Sequence, residues 1–300
     1  MSRPVSYQEA TARERLHHLF NAGSFEEFLP PSERVTSPHL PQLNAPVAFD
    51  DGVAIGRALL GGVPVYVAAQ EGAFMGGAVG EVHGAKLVGL LRKAVADKVA
   101  AVVVLVESGG VRLHEANAGL IAVSEVMRAL LDARDAGVAV VVLVGGSNGA
   151  FGGMGIVTRC ANVVIMSEEG RLAMSGPEVI ETANGVEEFD SRDRALVWRT
   201  TGGKHRYLLG DCQRIVADDV AAFRVAAQEA VASLAGGDTA LSLEALEAEQ
   251  KMLSDRLNNY GALHDPIDIW TAMQMPDAAN IPMLDADSFV AAAASHRHGG

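Results

Sequence analysis

Cysteine is scarce in this chain. Cys160 and Cys212 are the only two among 300 residues, too few for a zinc ribbon or a disulfide framework, so the expected compartment is a reducing cytoplasm. Positive charge is short as well, since 24 Lys and Arg against 37 Asp and Glu leave a formal charge of -13. No global positive field exists to draw in nucleic acid or an anionic membrane, and any anionic ligand has to be met locally. Apolar runs break within about ten residues, below the roughly 18 needed to cross a bilayer. Residues 1–20 are too polar and charged for a secretory signal peptide. Metal-ligand spacings are missing: Cys160 reads as a small core residue, and His296 and His298 as part of an Ala/His/Gly tail. These absences predict a soluble protein with no metal, membrane or nucleic-acid partner.

What is present is apolar content of 49% and 32 glycines, enough for a substantial core. Residues 1–49 predict an arm lying over a neighbour, with a helical segment over 7–20 and then a Pro-rich stretch. The main domain is expected over 50–235, and residues 236–300 as a helical extension ending in a frayed tail. Within the domain, 52–60 and 65–70 predict a hairpin joined across Gly61 to Pro64, followed by glycines and a helix over 81–98. Strand, glycines and helix return at 100–136 and again from Val138. Each of these strands is apolar on both faces, which predicts a mostly parallel sheet covered by helices. Residues 162–166 add a strand, 181–215 a polar, locally basic stretch, and 217–234 and 241–257 two more helices.

The third unit holds the most glycine-rich turn, Gly145 to Gly155, between a buried strand and a helix. Such a turn lays bare backbone amides, and the following helix aims its positive dipole end at the same place. The Lys-Ser/Thr pair of a P-loop is missing, as is an acid closing the second strand of a dinucleotide fold. Three amide-lined turns on one edge of a parallel sheet converge instead on one cleft. That suits a thioester carbonyl gathering negative charge as it becomes an enolate, a reaction that needs no side-chain nucleophile.

Six motifs carry a resemblance that covers residues 50–235: Phe74-Met-Gly-Gly-Ala-Val-Gly80, Glu107-Ser-Gly-Gly-Val-Arg-Leu-His-Glu115, Gly149-Ala-Phe-Gly-Gly153, Ser175-Gly-Pro-Glu-Val179, Gly202-Gly-Lys-His205 and Ala217-Asp-Asp219. Their order resembles acyl-CoA carboxyltransferase β subunits, and most closely the β (D) subunit of biotin-independent malonate decarboxylase. The resemblance implies an α/β crotonase-like (ClpP/crotonase) fold of repeated ββα units without a zinc ribbon, and decarboxylation of a malonyl thioester on an acyl-carrier protein to an acetyl thioester. The implied partners are a homologous malonate decarboxylase γ subunit, the acyl-carrier protein and an acyltransferase subunit. A phosphopantetheine-type arm would come with the carrier, and the chain itself would hold no biotin and no metal. Two features depart from carboxylase relatives: the four-cysteine ribbon is absent, and Glu107 and Val111 stand where Asp and Ala are usual. The alternatives are a carboxyltransferase β subunit of a biotin-dependent acyl-CoA carboxylase and a non-catalytic scaffold for a partner.

By analogy with crotonase-like enzymes, the amides near Gly109, Gly110, Gly152 and Gly153 would form the oxyanion hole. Gly76 and Gly77 would shape a second amide pocket or only a turn, and Phe151 would line the substrate site. His114 and Glu115 are candidates to handle a proton, against a surface or capping role. Arg112 would attract the malonyl carboxylate, or else pair with Glu107 or Glu115. Arg192, Arg194, Arg199, Lys204, His205 and Arg206 form the one basic cluster. They would meet a phosphopantetheine phosphate or an acidic carrier, or form a solvated loop or a partner interface.

Overall fold

A computed structural model of the chain describes residues 4–297, so His298 lies outside the described residues. The framework is a seven-stranded sheet in which β1 (Glu26–Phe28), β2 (Val53–Leu60), β3 (Val63–Gln70), β4 (Ala101–Val106), β5 (Ala139–Val144), β6 (Val163–Ser167) and β7 (Arg214–Val216) lie side by side in chain order. The first three are antiparallel and β3 to β7 are parallel. The hairpin turn is Gly61-Gly62 alone, and β3 therefore starts two residues earlier than predicted, at Val63. At the centre, β4 and β5 are the same hexapeptide, Ala-Val-Val-Val-Leu-Val, paired residue for residue from Ala101↔Ala139 to Val106↔Val144 and buried throughout. β-branched residues suit such a strand, which is covered on both faces.

The helices in chain order are α1 (Ala12–Leu19), α2 (His39–Gln42), α3 (Glu81–Asp97), α4 (Asn117–Asp135), α5 (Gly152–Arg159), α6 (Pro177–Asn184), α7 (Arg194–Thr201), α8 (Gly203–Leu208), α9 (Val220–Leu234), α10 (Leu243–Tyr260), α11 (Pro266–Ala272) and α12 (Ala286–Ala293). Strand alternation divides the core in two. Val102, Val104, Val140 and Val142 face the layer with Leu87, Leu91, Val126 and Leu130 of α3 and α4. Val103, Leu105, Val141 and Leu143 face Leu16, Leu19, Phe223 and Ala227 of α1 and α9. Beyond the strand ends the chain pairs again, in parallel bridges Val79↔Val111, Ser108↔Ala150 and Ala150↔Leu172. Each unit is thus a long strand, a short second extended piece and a helix, the ββα repeat expected from the sequence.

Both termini differ from expectation. The helical part of the presumed arm is core: Thr11 and Glu14 close a capping box on α1, and Tyr7, Leu16, Leu19 and Phe20 are buried against the sheet and α9. The C-terminal segment is likewise integrated, with Trp270, Ile281, Phe289 and Ala293 in the other core layer. Arg297 donates to the Tyr207 and Cys212 carbonyls and His296 reaches the Met273 carbonyl, so the described tail is packed. Its few large side chains were hidden in an Ala-rich composition. Among the helices of the described residues only α10 has no buried residue, and Leu243, Leu246, Leu253 and Leu257 lie open on it.

Leu16, 2% exposed, tests the position of α1 directly. Leu16→Ala is expected to lower the unfolding free energy of this chain by about 2–5 kcal/mol, the cost of a core truncation; an unchanged denaturation midpoint in the isolated chain would contradict the packing.

Candidate functional site

The turns after β3, β4 and β5 meet at the carboxyl edge of the sheet, as expected for a cleft outside parallel strand ends. Ser108 donates to the Gly149 carbonyl (2.7 Å), Phe151 to the Ser108 carbonyl (2.9 Å) and Gly109 to the Gly76 carbonyl (2.8 Å). Gly110 and Gly152 abut: a Cβ built on either comes 3.2–3.3 Å from the Cα of the other, and both have positive φ. Side chains there would force the two turns apart. The predicted pairs 109–110 and 152–153 are therefore brought together.

Which amides stay free differs from expectation by one residue. Gly109 donates to Gly76, Gly110 to Ser108 Oγ (3.1 Å) and Gly152 to the Met174 carbonyl (2.9 Å), so three of the four expected amides are occupied within the chain. Val111, Gly153 and Met154 donate to no acceptor among the described residues. Val111 directly follows Gly110, while Gly153 and Met154 stand in the first turn of α5, whose cap Phe151 supplies no side-chain acceptor. The site thus offers the helix's positive end and amides from two abutting turns. The one-residue offset follows from the bridge Val79↔Val111, which turns the Val111 amide away from its neighbour strand, and no local sequence signal marks it.

Below the turns lies a layer of buried charge. Arg15 pairs with Glu107. Arg112 is 1% exposed and donates to Asp51 Oδ2 and Glu115 Oε1, each at 2.9 Å. Glu115 also accepts the Glu81 amide (2.6 Å). Arg112 is therefore neutralised by two carboxylates and closed to solvent; the expectation that it attracts a substrate carboxylate gives way to the ion pair with Glu115. Glu115 is a structural partner for the same reason. Asp51 also takes the His83 amide, and burial, followed by the nearby Arg112 charge, lowers the His83 pKa to about 3.

The expected basic cluster is dispersed. Lys204 pairs with Glu168 (2.7 Å) and donates to the Pro282 and Leu284 carbonyls, fastening the C-terminal segment. His205 accepts from Trp270 Nε1 (3.1 Å), and its burial, reinforced by Arg206, takes its pKa down to about 3, so it is neutral. Arg206 is held by Asp211 and the Thr200 carbonyl, and Arg199 by Asp265. These side chains are spent inside the fold and leave no phosphate cradle at 204–206; short helices α7 and α8 replace the expected solvated stretch. Phe151 is buried, with the Arg171 guanidinium 5.7 Å from its ring. His114 is exposed on a 3-10 turn just before α4.

Several large apolar side chains are exposed on the elements that carry the turns. Leu113 (80% exposed), Leu120, Ile121, Ile156 and Met174 (64% exposed) stand open on the elements that frame the site. No cluster of three or more His, Cys, Asp or Glu suited to a metal occurs among the described residues.

Comparison with known proteins bears on the fold and family. Residues 6–234 match the family model described as the carboxyl transferase domain. The chain is 47% identical over 233 residues to malonyl-S-ACP:biotin-protein carboxyltransferase of Malonomonas rubra, covering 73% of each protein. It is 38% identical to a subunit of the Pseudomonas malonate decarboxylase hetero-tetramer in complex with malonate, with a TM-score of 0.80 over 90% of this chain and 97% of that one. The transcarboxylase 12S core shares the fold at 24% identity, with a TM-score of 0.62 over 73% of this chain and 40% of that one. The architecture is thus the crotonase-like carboxyltransferase fold.

Two predictions follow from the geometry of the turns and of the buried histidines. Gly76 and Gly77 both have φ near +65°, but a Cβ on Gly76 meets open space whereas one on Gly77 overlaps the Glu107 carbonyl. Gly76→Ala should therefore cost only the left-handed strain of about 1–2 kcal/mol, and Gly77→Ala substantially more; equal losses in thermal melts would refute the close approach. The second concerns acid. Because the folded pKa of His205 lies below the ordinary 6.5, at about 3, only the unfolded chain takes up a proton in that interval. Its stabilisation is full above 6.5 and declines as pH falls toward 3. His205→Asn, which retains an acceptor for Trp270, should flatten the fall of Tm across this window, and an unaltered slope would count against a neutral buried His205.

Proposed function

We propose that this chain, which belongs to the carboxyl transferase domain family, is the β subunit of a malonate decarboxylase, acting on a malonyl thioester with a homologous partner subunit. The observation that carries the reading is the pair of free amide sources, Val111 and the first turn of α5, set side by side by the contact of Gly110 with Gly152. The 38% identity to the Pseudomonas decarboxylase subunit supports it over nine-tenths of the chain.

The thioester oxygen lies between these amides. The bond from the α-carbon to the carboxylate breaks, its electron pair passes into the thioester as an enolate, and CO2 leaves. The α-carbon then takes a proton to give an acetyl thioester. Preorganised amides cost no reorganisation as charge moves onto oxygen. The burial of Arg112 also fits, because a cation gripping the leaving carboxylate would stabilise the ground state and leave the barrier high. Desolvation of that carboxylate falls to the partner, which we place over Leu113, Leu120, Ile121, Ile156 and Met174; the hetero-tetrameric state of the Pseudomonas relative supports a partner chain. An acyl-carrier protein with its phosphopantetheine arm presents the substrate, an acyltransferase loads it, and the complex works in the cytoplasm.

A second reading follows the Malonomonas relative, a malonyl-S-ACP:biotin-protein carboxyltransferase, whose carboxyl acceptor is a biotin protein. Both readings use the same enolate and differ in whether the carboxyl group leaves as free CO2 or on biotin. The reconstituted complex, given malonyl carrier protein, should release CO2 without biotin and be insensitive to avidin. Biotin-dependent turnover would favour the second reading, and a folded, inert complex would exclude both.

The amide assignment has its own test. A Cβ at Gly153 meets Val123 Cγ1 at 2.5 Å, so Val123→Ala makes room for either Gly153→Ala or Gly153→Pro. Proline is tolerated in a helix's first turn but has no N–H. The proline double variant should turn over about 10²–10³-fold more slowly than the alanine one; equal rates would remove the Gly153 amide from the mechanism.

A further inference from the structure

Glu107 is the last residue before the Ser108-Gly109-Gly110 turn, yet its side chain reaches away from the site. Its carboxylate pairs with Arg15 of α1 and accepts the Asn148 amide of the turn after β5 (3.4 Å). The Asn148 side chain in turn donates to the Gly72 carbonyl, in the turn after β3 (2.8 Å). The space is reserved by two glycines: a Cβ on Gly72 would overlap Glu107 Oε1, and one on Gly146 would come 2.5 Å from Glu107 Cδ. Arg15 is held in place by the Tyr7 carbonyl (2.8 Å) and by the Tyr7 ring, 4.5 Å from its guanidinium carbon. Glu107 therefore ties the site together: it leads into the turn after β4, its carboxylate bonds the turn after β5 and Arg15 of α1, and Asn148 links that turn to Gly72 in the turn after β3.

We propose that the buried Arg15–Glu107 pair is a positioning device for the reaction, setting the spacing of the three turns and through them the alignment of the Val111 and Gly153 amides. Glu107 is a positioning residue and touches no substrate. The fold has no comparable need of the pair, because α1 already buries Leu16 and Leu19 and β4 is held on both sides by parallel ladders. Oxyanion donors act only when aimed at the developing charge, and a shift of about 1 Å in a supporting contact reduces rate by about 100-fold. A glutamate is long enough to cross from β4 to Arg15, and an aspartate is one methylene shorter, so this device depends on the Glu at 107.

The inference rests on the decarboxylase reading, and the test separates the two. In the reconstituted complex, wild type, Glu107→Gln and the double variant Arg15→Met/Glu107→Met are compared for Tm, kcat and KM with malonyl carrier protein. Replacing both charges by apolar chains of similar size removes the unpaired buried charge that a single substitution leaves. The double variant should therefore recover a Tm near wild type, while its kcat stays about 100-fold down with KM little changed. A kcat that recovers together with Tm overturns the proposal, as does a double variant that cannot fold, since the pair would then serve the fold alone. A wild-type complex that releases no CO2 would overturn the function instead.

Discussion

Val106 stands opposite Val144, the last rung of two identical strands paired without offset. This register fixes everything above it. Parallel strands that end level with one another release their chains at the same height, so the turns after β4 and β5 must run side by side. There they exchange the Ser108 and Phe151 bonds and bring Gly110 against Gly152. A slip of one residue would turn every core valine to the opposite face, exchanging the layer of α3 and α4 for that of α1 and α9. The core therefore holds the register, and the register holds the site.

The chemistry that such a site can perform follows from what it lacks as much as from what it holds. The buried charges beneath the turns are committed: Arg112 to Asp51 and Glu115, and Glu107 to Arg15. Breaking any of these buried pairs leaves a charge without a counter-ion, which costs about 3–5 kcal/mol. The amides that remain free are dipoles whose hydrogens cannot be titrated away and whose direction is set by backbone. Such groups suit a reaction whose charge appears on one oxygen and then disappears. The apolar side chains exposed on α4, α5 and the segment after β6 suit the second requirement, exclusion of water by the proposed partner.

Much of the framework was legible in the sequence because it is local. Runs such as Ala-Val-Val-Val-Leu-Val announce doubly covered strands, and glycines followed by apolar periodicity announce the turns and helices. The ordered motifs carried the family beyond what periodicity supports. What escaped is non-local. The choice of Val111 over Gly109 as a free amide depends on bridges between turns far apart in sequence. Lys204, His205 and Arg206 look like an anion patch until α11 and the segment around Pro282 are folded over them. Arg112 reads equally well as ligand or ion pair until Asp51, 61 residues away, is seen beside it. The N-terminal arm becomes core because Tyr7 meets Phe223, with ring centres 4.0 Å apart, a contact that no local pattern encodes.

The central claim is that the abutting turns at Gly110 and Gly152 polarise a thioester carbonyl. The most direct measurement is the infrared stretch of a carbon-13-labelled acetyl thioester, the product form, bound to the assembled complex. Two amide donors aimed at the oxygen predict a carbonyl stretch shifted to lower frequency than that of the same thioester in water, and a smaller shift when residue 153 is proline in the Val123→Ala background. A bound carbonyl vibrating at its aqueous frequency in both proteins would contradict the account.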